Sequence, residues 1–234
     1  MQQINIVISG FTPYEGIDVN PAVLVPAAVA KQWADPAQSQ AISEELLQDI
    51  AVTVTNVTLD QFKGKWVILL FFPMDWTFVC PTELLAYNDA KEKLAAVNAV
   101  VLGISGDSPF THLSWLRAPR EQGGLGGLVT FPLLSDITRE TMKAYGVYNE
   151  DTTGIDYAQA FRGLFLIDPK RKIRHIYIND NGVGRNVEET IRVIKALQFS
   201  DKHGEVCPAN WHEGQTTFKP DSEGVSKYLV SLNK

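Results

Sequence analysis

The chain has 234 residues, of which 45% are hydrophobic and 21% charged, and its formal net charge is −6. This composition is that of an ordinary globular protein, and the length fits one domain, or one domain with an added fragment. The absence of a basic surplus argues against a nucleic-acid partner. No apolar run approaches the roughly 20 residues of a transmembrane helix, so we expect no membrane partner.

Charge is unevenly distributed along the chain. Residues 1–58 carry one basic and six acidic side chains, whereas the remainder carries twenty basic and twenty-one acidic ones. A shift of this size suggests two segments of different origin. Acidic side chains precede the apolar stretch Ala22–Ala30, where a secretory signal would carry positive charge, so we expect a cytoplasmic protein. Two cysteines, Cys80 and Cys207, are too few for a disulfide-stapled scaffold.

The first 58 residues predict a short β-α-β fragment. Ile4–Ser9 has the pattern of an apolar strand, and Asn20-Pro21 is typical of a helix start, from which a helix runs to about Trp33. Ala51–Leu59 alternates apolar and hydroxyl residues, which favours a strand. A fragment of about 60 residues is too small to bury a core alone.

From residue 59 onwards the pattern predicts a larger α/β domain. The predicted strands are Trp66–Phe72, Ala99–Ser105, Phe131–Leu134 and the hairpin Gly163–Ile167 with Lys172–Asn179. The predicted helices are Pro81–Asn98, Ser108–Glu121, one capped by Asp136 and ending near Tyr145, Val187–Phe199 and Val225–Leu232, with a flexible loop at residues 123–127. A parallel βαβ unit, an antiparallel hairpin and a covering helix are what a thioredoxin-like sheet requires.

Cys80 lies at the first turn of the helix that follows the buried strand Trp66–Phe72. Unsatisfied backbone N–H groups at a helix start favour an anion, and therefore favour the thiolate over the thiol. Thr77 can offer a hydroxyl to the sulfur or to a bound oxygen, and Pro73 and Pro81 stiffen the loop around them. An arbitrary cysteine is an inert core residue about as often as not, so it is this setting that indicates a nucleophile.

Several motifs, in chain order, resemble the typical 2-Cys peroxiredoxin family over about residues 60–234. They are Pro73-x-x-x-Thr77-x-x-Cys80, its extension Phe78-Val79-Cys80-Pro81-Thr82-Glu83, Ala118-Pro119-Arg120 with the glycine-rich residues 123–126, Phe161-Arg162-Gly163, Val183-Gly184-Arg185 and Glu205-Val206-Cys207-Pro208. The resemblance implies a thioredoxin-like fold and an oxidoreductase of antioxidant defence and redox signalling. Such an enzyme reduces hydrogen peroxide and organic hydroperoxides and needs no cofactor or metal ion.

The resemblance also implies a role for each site residue. Cys80 attacks the peroxide and becomes a sulfenic acid, which condenses with Cys207 of the partner subunit, and thioredoxin or a similar dithiol reduces the resulting disulfide. Thr77 and Arg120 orient and polarise the peroxide. Positive charge from Arg120 and Arg185 stabilises the thiolate. Glu83 supports the site, and the assembly is a homodimer, with a decamer as the larger form.

Residues 1–58 resemble the start of a different family, pyroglutamyl peptidase I, a cysteine amidase. The match rests on Ile8-Ser9-Gly10-Phe11-Thr12-Pro13-Tyr14-Glu15-Gly16 and on Val19-Asn20-Pro21. That family's catalytic Glu, Cys and His come from a later part of its chain, which is absent here. We therefore interpret residues 1–58 as a fragment without a complete active site, as in a fusion or chimera. Residues 59–234 form the peroxiredoxin domain, whose resolving-cysteine tail starts at about residue 200.

Two alternatives stand beside the peroxidase. The first is an oligomeric, chaperone-like protein that has lost turnover because its family's N-terminal strands are replaced. The second is a cysteine amidase of the pyroglutamyl peptidase type. The intact Pro73, Thr77, Cys80, Arg120 and Cys207 favour the peroxidase over the first, and the missing amidase triad disfavours the second.

Overall fold

The computed structural model describes residues 4–8, 52–55 and 57–232, and these fall into two compact units. The first unit contains the described residues up to Asp89 together with Ala99–Arg185, and the second contains Ala90–Asn98 together with the residues from Asn186 onwards. The helix predicted between Asn20 and Trp33 lies outside the described residues, as do the peptidase-like motifs apart from Ile8.

A seven-stranded mixed sheet forms the centre of the first unit. Its strands are β1 (Ile4–Ile8), β2 (Val52–Thr55), β3 (Trp66–Phe71), β4 (Ala99–Ser105), β5 (Leu133–Ser135), β6 (Arg162–Ile167) and β7 (Ile173–Asn179). They lie in the order β2-β1-β5-β4-β3-β6-β7. Every pair from β2 to β3 is parallel, whereas β3–β6 and β6–β7 are antiparallel. The predicted parallel unit followed by an antiparallel hairpin is therefore present.

Burial distinguishes the inner strands from the edge. All six residues of β3 and all six of β6 are buried, as expected for strands covered on both faces. Strand β7, at the sheet edge, has only exposed and half-buried side chains. Gly163 in β6 allows a close approach, because a Cβ there would lie 2.6 Å from Val147 Cγ1. The core against this face includes Phe71, Tyr145 and Phe165, whose ring centroids lie 4.9–5.7 Å apart.

Six helices accompany the described strands: α1 (Cys80–Asp89), α2 (Lys91–Ala96), α3 (Pro109–Arg117), α4 (Glu140–Ala144), α5 (Val187–His203) and α6 (Ser222–Ser231). Two short 3-10 turns, Leu59–Phe62 and Arg120–Gln122, complete the described elements. The first of these turns occupies the end of the strand predicted at Ala51–Leu59, so β2 is shorter than expected.

Several helix boundaries differ from the prediction. The helix predicted over Pro81–Asn98 is two helices, α1 and α2. The apolar stripe has the same period in both helices, so the sequence pattern does not reveal the break between them. Helix α3 ends at Arg117 because the following Ala118, with ψ of 142°, precedes a proline, which disfavours helical backbone. Helix α5 extends to His203, where Gly204 ends it in a left-handed conformation.

Asp136 caps α4 from outside the helix. The helix begins at Glu140, later than predicted, and the residue before it, Arg139, has a positive φ of 64°. The Asp136 carboxylate nevertheless accepts hydrogen bonds from the backbone N–H groups of Thr141 and Met142, at 3.2 and 2.8 Å. The expected capping residue is thus correct in function, while the helix start is displaced.

The glycine-rich residues 123–127 form a hydrogen-bonded loop, contrary to the expected flexible one. Four backbone N–H groups of this loop, from Gly124 to Gly127, donate to carbonyls at the end of α3 and just beyond it. Leu125 is fully buried, and a Cβ at Gly124 would lie 2.1 Å from the Ala118 carbonyl oxygen. The glycines here allow close packing of backbone on backbone.

The second unit contains α2, α5, α6 and the segment between the last two. Trp211 is buried, and its ring centroid lies 5.3 Å from that of Phe199 in α5. The Trp211 carbonyl accepts a hydrogen bond from Arg192 Nη1. Helix α6 starts at Ser222, earlier than predicted, because the Asp221 side chain caps it by accepting the Gly224 N–H.

Candidate active site

Cys80 is the first residue of α1 and follows the loop that leaves β3. Its side chain is fully buried, and its thiol is free. The loop before Cys80 therefore follows directly on a buried strand. The sulfur lies at the start of a helix, where the backbone N–H groups have no hydrogen-bond partner within the helix. The predicted placement of Cys80 is the one that the structure shows.

An arginine contacts the Cys80 sulfur. Arg162 Nη1 lies 3.3 Å from Cys80 Sγ and 2.7 Å from Glu83 Oε2. Arg185 binds the same carboxylate through its backbone N–H, Nε and Nη2, at 2.8, 2.7 and 2.9 Å. All four residues are at most 6% exposed. The two guanidinium groups and one carboxylate carry one surplus positive charge, which complements a thiolate.

The pairing of β3 with β6 brings Arg162 to the sulfur. The two strands are antiparallel, with Leu70 opposite Leu164, so the start of β6 lies beside the end of β3. Arg162 is the first residue of β6, and Cys80 follows the loop after β3. Residues 82 positions apart in the chain thus meet because of strand register.

Arg120 is the arginine expected to act on the peroxide. It begins the 3-10 turn after Pro119, and it is exposed. Its side chain runs along Gly126, where a Cβ would lie 3.4 Å from Arg120 Cγ. Among the described residues, none of the hydrogen bonds or ion pairs joins Arg120 to Cys80. Arg162, which the sequence indicated only as part of a family motif, is the arginine on the sulfur, and a role of Arg120 on the peroxide stays a prediction.

Arg185 and Glu83 form the centre of the buried network. Arg185 also donates through Nη1 to the carbonyls of Phe71 and Gly163, at 2.7 and 2.6 Å. These are the last residue of β3 and the second residue of β6. Arg185 therefore ties together the two strand ends that carry the site, and it contacts Glu83 rather than the sulfur.

The loop before Cys80 contains Pro73, which is buried, and Thr77, which is partly buried. Thr77 Oγ1 donates to the Met74 carbonyl at 2.8 Å. Its proton is therefore committed within the loop, and its oxygen lone pairs are the part that can interact with a bound molecule. Trp76 has a positive φ of 58°, a conformation that side chains of this size rarely adopt.

A buried acid–imidazole pair supports the same loop. Asp75 Oδ2 lies 2.7 Å from His112 Nδ1 in α3, and both side chains are fully buried. The Asp75 N–H donates to Asp107 Oδ2 at 2.9 Å. Burial raises the pKa of Asp75, and the hydrogen bond to His112 partly opposes that rise. Through these contacts the loop is attached to α3 and to the end of β4.

Cys207, the expected resolving cysteine, lies in the second unit and is a free thiol, partly buried. Its Sγ lies 3.6 Å from the Ala196 carbonyl oxygen of α5. Burial raises the pKa of the Cys207 thiol, while the nearby Arg192 charge opposes the rise and Glu205 adds to it. This thiol therefore holds its proton more firmly than an exposed cysteine does.

Within residues 4–8, 52–55 and 57–232, no group of three or more His, Cys, Asp or Glu side chains is placed to hold a metal ion. In the same residues no helix is both long enough and apolar enough to cross a membrane.

Comparison with known proteins gives the family. Residues 38–176 match the model of the AhpC/TSA family, and residues 196–230 match the C-terminal domain of 1-Cys peroxiredoxin. The chain is 48% identical over 179 residues to Peroxiredoxin-4 of Dictyostelium discoideum, covering 76% of this chain and 67% of that protein. It is 49% identical over 181 residues to thioredoxin peroxidase of Trypanosoma brucei rhodesiense, covering 77% and 88%.

A solved structure agrees with the sequence comparison. Reduced 2-Cys peroxiredoxin of Plasmodium vivax superposes with a TM-score of 0.69 at 42% identity, covering 74% of this chain and 86% of that one. The predicted thioredoxin-like α/β fold is confirmed by this match. With a cysteine at the start of α1, an arginine on its sulfur and these relatives, the chain belongs to the peroxiredoxins of the AhpC/TSA family.

Proposed function

We propose that the chain is a thiol-dependent peroxidase that uses Cys80 to reduce hydrogen peroxide and organic hydroperoxides. The observation that carries the proposal is the contact of Arg162 Nη1 with Cys80 Sγ, at 3.3 Å, in a buried site with one surplus positive charge. A guanidinium on the sulfur supports the thiolate, which is the nucleophilic form of cysteine. The thioredoxin peroxidase of T. brucei rhodesiense is a relative whose name states the same activity.

The first chemical step is a displacement at oxygen. The Cys80 thiolate attacks the terminal peroxide oxygen, so a sulfur–oxygen bond forms while the oxygen–oxygen bond breaks. The hydroxide or alkoxide that leaves takes up a proton to become water or an alcohol. Among the described residues Arg162 Nη2 has no hydrogen-bond partner, so its N–H groups are available to the developing negative charge. We assign to Thr77 Oγ1 the role of accepting a hydrogen bond from the peroxide, since its own proton is donated to the Met74 carbonyl.

The second step joins the two cysteines. Cys207 of the partner subunit attacks the sulfenic acid of Cys80, a disulfide forms, and water leaves. Because Cys80 is fully buried at the first turn of α1, this step requires that turn to unwind. A dithiol protein such as thioredoxin then reduces the disulfide by exchange and completes the cycle. In this role the protein serves antioxidant defence and redox signalling.

Assembly into a homodimer is part of the proposal, with a decamer as the larger form. Strand β7 is an edge of the sheet, and it exposes three isoleucines, at positions 173, 176 and 178. An edge strand with exposed apolar side chains favours pairing with a second copy. We also propose a cytoplasmic location, which the low cysteine count supports.

We further propose that residues 1–58 derive from a pyroglutamyl-peptidase-like fragment and that residues 59–234 form the peroxiredoxin domain, as in a fusion or chimera. The motif around Phe11–Gly16 and the charge difference support this origin. The AhpC/TSA match begins at residue 38, ahead of the proposed join. Strands β1 and β2 pair in parallel with each other, and β1 pairs with β5, so both strands extend the sheet.

The two alternative functions have less support. The relatives of the chain include peroxiredoxins and a thioredoxin peroxidase, which favours the peroxidase over both alternatives. The buried Glu83, Arg162 and Arg185 beside Cys80 support a reactive cysteine, which a chaperone-like protein without turnover does not need.

Stopped-flow mixing of the reduced protein with hydrogen peroxide tests the proposal. Trp76 lies four positions before Cys80, so its fluorescence should report oxidation of the sulfur. The parent should show a fluorescence change that is first order in peroxide, and Cys80→Ser should show none. Peroxide consumption by Cys80→Ser at the parent's rate would contradict the proposal.

A further inference from the structure

A chain of hydrogen bonds leads from the Arg162 guanidinium away from the sulfur to a separate loop. Arg162 Nε donates to the Asn181 carbonyl at 2.9 Å. The Asn181 side chain, through Nδ2, donates to Asp156 Oδ2 at 3.2 Å. Asn181 lies just after β7, and Asp156 lies in the loop at residues 151–160, which precedes β6. Asp156 therefore reaches the sulfur-binding arginine through one intervening residue.

Each end of this connection is held by other bonds. In the turn after β7, Asn179 Nδ2 donates to the Val183 carbonyl at 3.0 Å. In the loop at residues 151–160, the Ala158 carbonyl accepts from Arg139 Nε at 3.0 Å. Because both segments are anchored, the bond between the Asn181 amide and the Asp156 carboxylate joins two fixed parts of the fold and restrains the Asn181 carbonyl.

The Nε bond determines which way the guanidinium faces. A guanidinium is planar, so fixing Nε and Nη1 fixes the whole group, including Nη2. Asn181 Oδ1 is buried and has no partner among the described residues. The amide is oriented with Nδ2 towards the carboxylate, since the opposite orientation would place two oxygens against each other. Asp156 thus sets the orientation of Asn181, and Asn181 sets that of Arg162.

We propose that Asn181 and Asp156 are positioning residues of the peroxidase: they hold the Arg162 guanidinium in the orientation in which it contacts the Cys80 sulfur and so set the reactivity of Cys80. The inference rests on the proposed function, since it concerns the reaction of the same site. Neither residue touches the sulfur, and neither belongs to the motifs from which the sequence indicated the peroxidase.

The test compares Asp156→Ala and Asn181→Ala with the parent, all in a Cys207→Ser background so that Cys80 alone reacts. Two rates are measured: oxidation of Cys80 by hydrogen peroxide in stopped flow, and alkylation of Cys80 by iodoacetamide at neutral pH. Loss of one charge-assisted hydrogen bond should slow both by about three- to tenfold. Asp156→Asn keeps an acceptor oxygen for the Asn181 amide and should recover part of the loss.

Asp151→Ala is the matched control. Its carboxylate lies in the same loop but accepts hydrogen bonds from Thr153 rather than from Asn181. Both Cys80 rates should stay at the parent value in this variant, which separates the connection to Arg162 from a general effect on the loop.

A double-mutant cycle with Arg162→Lys separates positioning from a structural effect. Lysine lacks the planar fork, so adding Asp156→Ala to Arg162→Lys should change neither rate further. Parent-like rates in both alanine variants, or effects of Asp156→Ala and Arg162→Lys that simply multiply, would overturn the inference. If the parent fails to react with peroxide, the proposed function fails, while the alkylation rates still decide the positioning role.

Discussion

Replacing Glu83 by glutamine should destabilise the fold and slow the chemistry together. Glu83 Oε1 accepts two bonds from Arg185, and Oε2 accepts one from each of Arg162 and Arg185. Glutamine keeps one acceptor oxygen and directs an NH₂ group at donors. It also removes the carboxylate counter-charge from two guanidinium groups that are both at most 6% exposed.

The magnitude follows from this burial. Removing one partner of a buried, hydrogen-bonded ion pair costs about 3–5 kcal/mol, because the remaining charge has neither solvent nor a partner. An exposed pair shows the contrast: Glu188 and Lys93 are 67% and 62% exposed, and such a pair contributes at most about 1 kcal/mol. Glu188→Gln makes the same chemical change and is therefore the matched control.

Urea denaturation of the reduced proteins measures the difference. All variants should be compared at one protein concentration, because assembly adds to apparent stability. Glu83→Gln should lower the free energy of unfolding by about 3–5 kcal/mol, and Glu188→Gln by less than about 1 kcal/mol. Cys80 oxidation by peroxide should slow by at least about tenfold in Glu83→Gln, because Arg162 loses its anchor. A Glu83→Gln protein as stable as Glu188→Gln would refute the reasoning.

Three further predictions concern the second half of the cycle. Cys207→Ser should allow one round of Cys80 oxidation but abolish thioredoxin-supported turnover. The oxidised parent should correspondingly run as a disulfide-linked dimer on a non-reducing gel. A monomeric band with the disulfide mapped within one chain would count against this. Because burial raises the pKa of the Cys207 thiol, and the thiolate is the attacking form, disulfide formation should still accelerate as the pH rises above neutral; a plateau in the stopped-flow rate near neutral pH would contradict it. The glycine-rich residues 123–126 are intact, whereas Leu229, beside Tyr228 in α6, is a smaller apolar side chain than phenylalanine, so we expect intermediate sensitivity to over-oxidation. Truncation before Val225 should reduce the sulfinic product, seen by mass spectrometry as a gain of about 32 Da, and an unchanged fraction would exclude a role for α6.

Local sequence patterns predicted the strands and the cysteine loop well. Strands β3 and β4 agree with the prediction to within one residue, because short buried runs of β-branched and aromatic residues favour a strand over other secondary structure. Helix ends were less accurate. The end of α3 could have been read from Pro119, whereas the delayed start of α4 depends on the Asp136 carboxylate acting from outside the helix.

The position of Cys80, at a helix start after a buried strand, can be predicted from local sequence alone, since it depends only on neighbouring residues and their periodicity. The identity of the arginine on the sulfur, Arg162, depends on tertiary packing. The antiparallel register of β3 and β6 brings the start of one strand to the end of the other. The partners of Glu83 and the connection through Asn181 to Asp156 depend on the same long-range packing. No local pattern encodes such contacts, because their partners lie from 19 to 102 positions apart in the chain.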